Sequence, residues 1–261
     1  MSSADLAAES SLPAVDPAPF DLPGRGPAAA LCLHGLTGTP YEVRPLGEAL
    51  SAVGIRALGP ALPGHNTAPE QLARVCQEEW LEAAWAAQRL LRQEHELVFG
   101  VGLSMGGLLT LSLACEDAFD AAAVVGVPLR LAQPVASLIP LARFFVSSVP
   151  KRGGSDIRDA QARARHPGYR VMPLAAVYQL QRLQRRVRHC LPRIEAPLLV
   201  AHGAHDRTAN PADAREIAST VASSQVECLF LENSAHVAPV DHDGRLLADS
   251  FARFLASYAA S

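Results

Sequence analysis

A short segment, residues 102–107 (Gly-Leu-Ser-Met-Gly-Gly), is the part of this sequence that indicates chemistry most directly. It follows the apolar run 97–101 and precedes a helical pattern over 105–115, so Ser104 stands on a predicted strand-to-helix turn. Glycine at positions 102 and 106 suits such a turn, because a Cβ there would clash in the strained backbone. The turn would present the Ser104 hydroxyl above a helix N-terminus, and the chemistry predicted is nucleophilic attack.

A serine hydroxyl becomes a good nucleophile only when a base takes its proton, and that base needs an orienting carboxylate. On alternating strands and helices of this kind the order along the chain is serine, acid, histidine. His236 follows the predicted strand 226–231 by a short loop, and Asp206 follows the predicted strand 198–202. We predict that His236 is the general base and that Asp206 orients it.

Two nearby residues are weaker alternatives for these roles. His242 lies between two aspartates at the start of the last predicted helix, where a capping region explains it better. Asp213 falls in the first turn of a predicted helix, where a negative charge is favourable. Neither is therefore assigned to the site.

No cofactor or metal ion is predicted. Gly100 and Gly102 begin a dinucleotide-binding pattern, but its third glycine would stand at position 105, which is Met105. His202 and His205 have a spacing that metal ligands can use, but no second ligand cluster accompanies them. Both alternatives are disfavoured.

Two backbone N–H groups are predicted to bind the oxyanion that an acyl-transfer step produces. One belongs to Met105, directly after the nucleophile. The other belongs to Leu36, in the loop after the predicted strand 28–33, where Gly35 lets the chain turn tightly. His34 is predicted to brace that loop.

The composition indicates a globular chain with no nucleic-acid partner. Of 261 residues, 49% are hydrophobic and 19% charged, and the formal net charge is −3. This length suits one domain with an inserted segment, and nucleic-acid binding would require a basic face. The densest basic run, 182–189, lies at helical spacing beside Leu180, Leu183 and Val187, and we interpret it as a solvated helix face. RNA binding through this run is the less favoured alternative.

The five cysteines lack metal-type or Cys-x-x-Cys spacing, and most lie in apolar runs. They are interpreted as small hydrophobes in a reduced compartment. The N-terminal residues resemble no signal peptide, and no segment has the apolar length of a membrane span. We therefore predict a cytoplasmic protein without an integral membrane segment; the sequence does not indicate its oligomeric state.

Apolar strands alternate with amphipathic helices, which predicts an α/β fold with a mostly parallel sheet covered on both faces. Residues 1–19 are predicted to be a disordered tail, and 20–127 with 192–261 to be the core. The segment 128–191 interrupts the alternation. It is interpreted as a small cap or lid above the carboxyl ends of the strands, with a packing subdomain as the alternative. The predicted helices cover 41–53, 72–92, 105–115, 212–221 and 245–258, and the predicted strands 28–33, 55–61, 97–102, 121–127, 198–202 and 226–231.

The first part of the predicted cap is strongly apolar. If it faces the nucleophile, it would line a channel for an acyl chain; otherwise it packs only within the cap. The predicted pocket residues are Leu138, Ile139, Leu141, Phe144, Phe145 and Val146.

Five motifs in order complete the argument: residues 34–38 (His-Gly-Leu-Thr-Gly), 63–65 (Pro-Gly-His), 102–107, 202–206 (His-Gly-Ala-His-Asp) and 234–236 (Ser-Ala-His). The set resembles the α/β-hydrolase family, in particular its small bacterial carboxylesterases and monoacylglycerol lipases. The resemblance covers residues 27–261. It implies the triad Ser104, Asp206 and His236, an oxyanion hole at Leu36 and Met105, and a small cap over an acyl pocket.

The function expected is hydrolysis of carboxylic esters with short to medium acyl chains, including monoacylglycerols, through an acyl-enzyme on Ser104. The partner expected is thus a small ester or lipid substrate. A thioesterase, an acyltransferase or a carbon–carbon hydrolase could use the same triad. A non-catalytic ligand-binding protein is the least favoured reading, because every member of the triad is present.

Overall fold

The computed structural model describes residues 15–132 and 135–259, in which strands and helices alternate. The strands are β1 (Phe20–Leu22), β2 (Ala28–Leu33), β3 (Arg56–Gly59), β4 (Leu97–Leu103), β5 (Ala121–Val125), β6 (Ser148–Pro150), β7 (Val171–Pro173), β8 (Leu198–Gly203) and β9 (Val226–Leu231). The helices are α1 (Arg44–Ala52), α2 (Pro69–Leu72), α3 (Gln77–Glu94), α4 (Met105–Ala114), α5 (Val135–Ala142), α6 (Ala160–Arg165), α7 (Leu174–Cys190), α8 (Ala212–Thr220) and α9 (Gly244–Ala259). Within the described residues, no helix is both long and apolar enough to cross a lipid bilayer.

Seven strands form the central sheet in the spatial order β1-β3-β2-β4-β5-β8-β9. Every pairing is parallel except that of β1, a short edge strand absent from the sequence prediction, which runs antiparallel to β3. The central strands β2, β5 and β8 are buried at every position. Apolar side chains from α3, α4, α7 and α8 cover one face, and those from α1 and α9 cover the other. The predicted doubly covered parallel sheet is confirmed.

The helix predicted over 72–92 starts later in the structure, and residue 72 belongs instead to a separate short helix. The short α2 ends at Leu72, and α3 begins only at Gln77. The Cys76 N–H donates to the Glu79 carboxylate at 2.8 Å, which caps the new helix end. The apolar pattern continues across the break, so periodicity alone did not reveal it.

The predicted cap contains α5, β6, α6, β7 and all of α7, with β6 and β7 forming a separate antiparallel pair. Its last helix is not detached from the core, because Ala176, Leu183 and Val187 of α7 are buried in the same cluster as α4. The arginines of the run 182–189 lie partly or fully exposed beside this buried face. A lid movement stays a prediction.

Part of the predicted N-terminal tail is attached to the core. Residues 1–14 lie outside the described residues. Asp16 forms an ion pair with Arg44 of α1 at 3.2 Å, and the Asn66 side chain donates to Pro17 O at 3.3 Å. Asp16 and Pro17, which the sequence prediction places in the tail, thus make polar contacts to the folded core.

Two cysteines are paired, which corrects the sequence interpretation of most cysteines as small hydrophobes in a reduced compartment. Cys115, just after α4, and Cys190, the last residue of α7, form a disulfide with their Cα atoms 5.8 Å apart. Their 75-residue separation hid this proximity, which arises because α4 and α7 end side by side. Disulfides persist mainly in oxidising compartments, so the bond does not fit the reduced compartment that the cysteine pattern favoured. A cytoplasmic location stays a prediction.

Candidate active site

Ser104 occupies a strained turn between β4 and α4. Its backbone has φ 55° and ψ −115°, in a region that residues other than glycine rarely adopt, and its N–H donates to Val125 O at 2.9 Å. A Cβ at Gly102 would lie 2.4 Å from Gly106 O, and a Cβ at Gly106 would lie 2.0 Å from Leu33 O. Both contacts are to backbone atoms that cannot yield. Glycine at both flanks is thus a steric requirement of the turn that presents the serine.

His236 joins Ser104 to Asp206, as the motif order predicts. Its Nε2 lies 2.8 Å from Ser104 Oγ, and its Nδ1 lies 2.8 Å from Asp206 Oδ2. Ser104, Asp206 and His236 are 7%, 9% and 7% exposed, so water has little access to these hydrogen bonds. With Nδ1 protonated, the imidazole donates to the carboxylate and leaves Nε2 to accept from the serine hydroxyl. The arrangement suits proton transfer from Ser104 to His236.

Asp206 is held as a carboxylate by its surroundings. Its Oδ1 accepts from the Thr208 and Ala209 N–H groups, both at 2.8 Å. Burial raises the pKa of this carboxyl, but the charge and hydrogen bond of His236 and the backbone donors outweigh burial, and the pKa falls well below its usual range. His202 Nε2 also lies 2.9 Å from Asp206 Oδ2, as a close contact without good hydrogen-bond geometry. Asp206 is therefore ionised at neutral pH.

The His236 imidazole is tuned by the same carboxylate. Burial lowers the pKa of His236, but the charge of Asp206 and the hydrogen bond to it raise the pKa, and the net result lies above the ordinary value of 6.5. A raised pKa makes the neutral imidazole a better proton acceptor for the serine hydroxyl. The pair thus has the electrostatics expected of an orienting acid and a base.

The loop after β2 is fixed by two side chains. The His34 ring donates from Nδ1 to Gly35 O at 2.9 Å and accepts the Leu62 N–H at Nε2 at 3.1 Å, so it is neutral and braces the loop. The Gly35 N–H donates to Glu42 Oε2 at 2.9 Å. Within the described residues, the Leu36 N–H donates to no backbone or side-chain acceptor. It is therefore available to a ligand beside Ser104.

Met105 provides a second unused donor. It is the first residue of α4, and the first N–H groups of a helix have no intrahelical acceptor. Leu36 and Ser104 line the same cavity, and an ideal Cβ on Gly35 would lie 3.5 Å from the Ser104 Cβ. Leu36 follows Gly35, which lies close to Ser104, and Met105 follows Ser104 itself. Both predicted N–H donors are thus near the nucleophile.

A cavity of about 880 Å³ opens above Ser104 and His236. One part of its wall is apolar and comes mainly from the inserted segment: Leu131, Ile139, Met172, Leu174, Val177 and Leu180. Another part is charged: Glu42, Lys151, Arg152, Asp156, Arg163 and Arg207. The site can therefore hold a ligand with one apolar and one polar end.

The predicted acyl pocket is wrong in five of its six residues. Ile139 is 4% exposed and lines the cavity, but Leu138, Leu141, Phe144, Phe145 and Val146 do not line it. Their exposure is large, up to 81% at Phe145. Apart from Arg143, residues 138–146 are apolar along the helix and the turn after it, so the pattern could not indicate which side faces inward. The structure turns only Ile139 of this set toward the site.

Comparison with known proteins identifies the family. Residues 26–243 match the family described as serine aminopeptidase, S33. The chain belongs to this family of serine hydrolases. It is 32% identical over 241 residues to a thermostable monoacylglycerol lipase of Bacillus sp. (strain H-257), covering 90% of this chain and 92% of that protein. It is 27% identical over 248 residues to a carboxylesterase of Bacillus subtilis (strain 168), covering 92% and 97%.

Solved structures agree with the sequence comparison. A structure reported for the metagenome-derived lipolytic enzymes LipS and LipT superposes on this hydrolase with a TM-score of 0.88 and 28% identity. The match covers 94% of this chain and 100% of that one. The α/β-hydrolase fold that the five motifs implied is confirmed.

His242 and Asp213, the weaker alternatives for the base and the acid, lie outside the triad of this hydrolase. His242 is exposed in the turn before α9. Asp213 lies in the first turn of α8, as predicted, and also accepts the Leu129 N–H at 2.8 Å. Among the described residues, no group of three histidine, cysteine, aspartate or glutamate side chains is arranged to hold a metal ion.

The sequence interpretation missed one residue that organises the loops around His236. Asp241 is buried, and its carboxylate accepts the N–H groups of Arg158 and Asp159 at 2.9 Å and of Ala235 at 2.8 Å. It thereby ties the inserted segment to the histidine loop of the hydrolase. Its position between a proline-containing turn and a histidine gave no sign of this, because its two partners in the inserted segment are 83 and 82 residues away in the chain.

Proposed function

We propose that this hydrolase cleaves carboxylic esters through an acyl-enzyme on Ser104, acting best on monoesters of medium-length acyl chains, including monoacylglycerols. The hydrogen-bonded series Ser104, His236 and Asp206 beneath a partly apolar cavity carries the proposal. The two Bacillus relatives support it, since one is a monoacylglycerol lipase and the other a carboxylesterase.

In the proposed reaction, His236 accepts the Ser104 proton as Oγ attacks the ester carbonyl carbon, and a tetrahedral intermediate forms. His236 then donates that proton to the alcohol oxygen as the carbon–oxygen bond breaks and the acyl-enzyme remains. Water then attacks the acyl carbonyl carbon as His236 takes its proton, and His236 returns that proton to Ser104 Oγ as the bond between Oγ and the acyl carbon breaks and the carboxylic acid leaves. Asp206 keeps the imidazole in the required tautomer and stabilises its charged form throughout.

The Leu36 and Met105 N–H groups would stabilise the negative oxygen of each tetrahedral intermediate. Loss of one such donor typically reduces kcat by about 10²–10³-fold. Both are backbone groups, so their positions depend on the Gly35 turn and on the strained conformation of Ser104. This dependence explains why the loop after β2 is held by His34 and Glu42.

The wall of the cavity supports the substrate class. Ile139, Leu174 and Val177 cover a space in which an acyl chain would gain about 0.8 kcal/mol for each buried CH₂ group. A volume of about 880 Å³ is in the range of sites for one small ligand. We propose that triacylglycerols, whose three chains need a wider opening, are poor substrates.

The covalent step tests the proposal most directly. An alkyl phosphonate reagent should add one adduct to the wild-type protein, detected by intact mass, and none to Ser104→Ala. An adduct that persists in Ser104→Ala would exclude this serine as the nucleophile. A matched substitution of another buried serine, Ser112→Ala in α4, should leave labelling unchanged.

A substrate panel separates the alternatives that share the triad. Nitrophenyl esters, acyl thioesters, monoacylglycerols and an aminoacyl nitroanilide should be compared by kcat/KM. We expect oxygen esters to be preferred. A higher kcat/KM for thioesters or for the nitroanilide would assign the site to a thioesterase or a peptidase instead.

A further inference from the structure

Lys151 is the only lysine among the 23 lysine and arginine residues of the sequence. It directly follows β6 and lines the cavity that contains Ser104. Its N–H donates to Arg170 O at 2.9 Å, and its C=O accepts the Gly154 N–H at 3.2 Å. The backbone of this lysine is thus fixed on both sides, which gives its side chain a defined origin in the cavity wall.

The Lys151 ammonium lies beside the loop that carries a proposed oxyanion donor. It donates to Thr37 Oγ1, and the Thr37 hydroxyl donates to Leu36 O at 2.5 Å. Burial lowers the pKa of Lys151, against the smaller effect of the Glu42 charge. An ammonium has three N–H donors, and within residues 15–132 and 135–259 only the one to Thr37 is used. The ammonium is thus partly shielded from water, and its remaining N–H donors have no acceptor within the described residues.

No carboxylate of the described residues forms an ion pair with Lys151, because the two in the cavity wall are engaged elsewhere. Asp156 accepts from the Arg207 guanidinium at 3.1 Å and 3.2 Å and from the Thr208 hydroxyl at 3.2 Å. Glu42 accepts from His166 at 2.9 Å and from a backbone N–H. Neither carboxylate neutralises the lysine directly.

The rest of the charged wall is also basic. The Arg163 guanidinium donates to a carbonyl, Ile157 O, at 3.0 Å, and in the described residues it has no ion pair with an acid. Arg152 lines the cavity next to Lys151. With Lys151 these side chains leave the cavity with an excess of positive charge near the nucleophile.

We propose that Lys151 binds an anionic oxygen group of the substrate, so that this hydrolase prefers esters that carry a carboxylate or a phosphate near the ester bond. The inference rests on the proposed function and narrows its substrate class. An anion would supply further acceptors to this partly buried ammonium, and such charge-assisted hydrogen bonds are strongest where water is excluded.

Matched pairs of esters test the charge preference. p-Nitrophenyl butanoate should be compared with the same ester bearing a carboxylate on the nitrophenol ring, which places the charge on the alcohol part. p-Nitrophenyl hexanoate should be compared with the mono-p-nitrophenyl ester of adipic acid. The free carboxylate of this half-ester places the charge on the acyl part. A monoacylglycerol and its phosphorylated form, with the same acyl chain, distinguish phosphate from carboxylate.

The informative quantity is the ratio of kcat/KM for the anionic ester to that for its neutral partner. We expect this ratio to fall by about tenfold or more in Lys151→Met, which keeps the length of the side chain but removes the charge. Lys151→Arg should retain much of the ratio. Arg245→Met, which removes an exposed charge outside the cavity, should leave it unchanged. A purely structural role of Lys151 would lower both activities equally and leave the ratio constant.

A chemical measurement on the wild-type protein keeps the inference testable if Lys151→Met does not fold. Pyridoxal phosphate with borohydride should modify only Lys151 and the N-terminal amine, because no other lysine is present. The carboxylate-bearing nitrophenol should protect the Lys151 peptide, whereas neutral nitrophenol should not. Equal protection by both would contradict the proposal.

Failure of this inference is distinguishable from failure of the proposed function. If wild type hydrolyses neutral esters and each anionic partner equally well in every pair, Lys151 does not select charge and only this inference falls. If neither neutral nor anionic esters are hydrolysed, the ester-hydrolase function itself is wrong.

Discussion

Glu42 and His166 form a buried contact between the core and the inserted segment, with Glu42 Oε1 2.9 Å from His166 Nε2. Their side chains are only 5% and 2% exposed. The other oxygen of Glu42 accepts the Gly35 N–H, and His166 Nδ1 lies 2.9 Å from Ser155 Oγ. The inserted segment is thus connected to the loop of the proposed oxyanion hole by a short series of hydrogen bonds.

This contact predicts an acid-sensitive fold. Burial raises the pKa of Glu42, but the hydrogen bond and charge of His166 outweigh it and lower the pKa to about 2. Because the folded-state pKa lies below the ordinary value of 4.5, the ionised carboxylate stabilises the fold above pH 4.5. That contribution is lost as the pH falls from 4.5 toward 2.

Thermal unfolding of wild type and Glu42→Gln as a function of pH measures this contribution. The melting temperature of wild type should fall more steeply below pH 4.5 than that of Glu42→Gln. Glu48→Gln, at an exposed position of α1, is the matched control and should follow wild type. Parallel curves of melting temperature against pH for wild type and Glu42→Gln would contradict a lowered pKa of the Glu42 carboxyl in the folded protein.

The pH dependence of activity tests the coupling of His236 to Asp206. Asp206 raises the pKa of His236 above 6.5, and the base must be neutral to act, so kcat/KM should increase with pH through that raised value. In Asp206→Asn the pKa should fall, and the residual activity should reach its plateau at lower pH. Its kcat should drop by about 10⁴-fold.

Asp213→Asn is the matched control for this profile, because Asp213 is a buried aspartate bonded to Leu129 and not to His236. A profile that moves in Asp213→Asn but not in Asp206→Asn would reassign the orienting acid.

The serine, the acid and the histidine could be predicted from the sequence because each follows a strand of the parallel sheet, and the three come in a fixed order along the chain. The network around them could not. Glu42 and His166 are 124 residues apart, and neither stands in a pattern that indicates a partner. Lys151 did leave a signal, as the single lysine in an arginine-rich chain, but a residue count does not place it beside Thr37.

The sequence also could not show which apolar side chains of the inserted segment face the cavity. Residues 138–146 are apolar at nearly every position, so no periodicity distinguishes Ile139 from Phe145. Only the contacts of α5 with α7 decide which side chain faces the cavity. The disulfide of Cys115 and Cys190 depended likewise on two helices meeting at their ends.

The elbow glycine provides a stability prediction. A Cβ on Gly106 would lie 2.0 Å from Leu33 O, and neither strand nor helix can shift without breaking the turn. Gly106→Ala should therefore destabilise the protein by more than about 4 kcal/mol or prevent folding. In Gly26→Ala the nearest atom, Gly54 O, is 3.3 Å away at the surface, so denaturant unfolding should change by about 1 kcal/mol or less. Similar unfolding free energies for the two variants would contradict the close approach at Gly106.

The Cys115–Cys190 bond provides a redox prediction. It closes a loop of 75 residues, and its removal in Cys115→Ala should lower stability by about 2–4 kcal/mol. Reductant should lower the melting temperature of wild type but not of Cys115→Ala. Cys228→Ala, at an exposed free cysteine, should behave as wild type. Thiol titration of the denatured, non-reduced protein should find three free cysteines, and a value of five would exclude the bond.

The final prediction concerns the length of the acyl chain. If the chain lies against Ile139, Leu174 and Val177, each added CH₂ group should raise kcat/KM by about fourfold, from about 0.8 kcal/mol of burial, until the cavity is filled. Ile139→Phe places extra bulk in the cavity, so the optimum should move to shorter chains while acetyl esters are affected least. Phe145→Ala, which alters an exposed side chain outside the cavity, should keep the wild-type profile. An acyl series of nitrophenyl esters measures all three proteins. A shift of the optimum in Phe145→Ala but not in Ile139→Phe would mean that the outer apolar surface, and not the cavity described above, receives the chain.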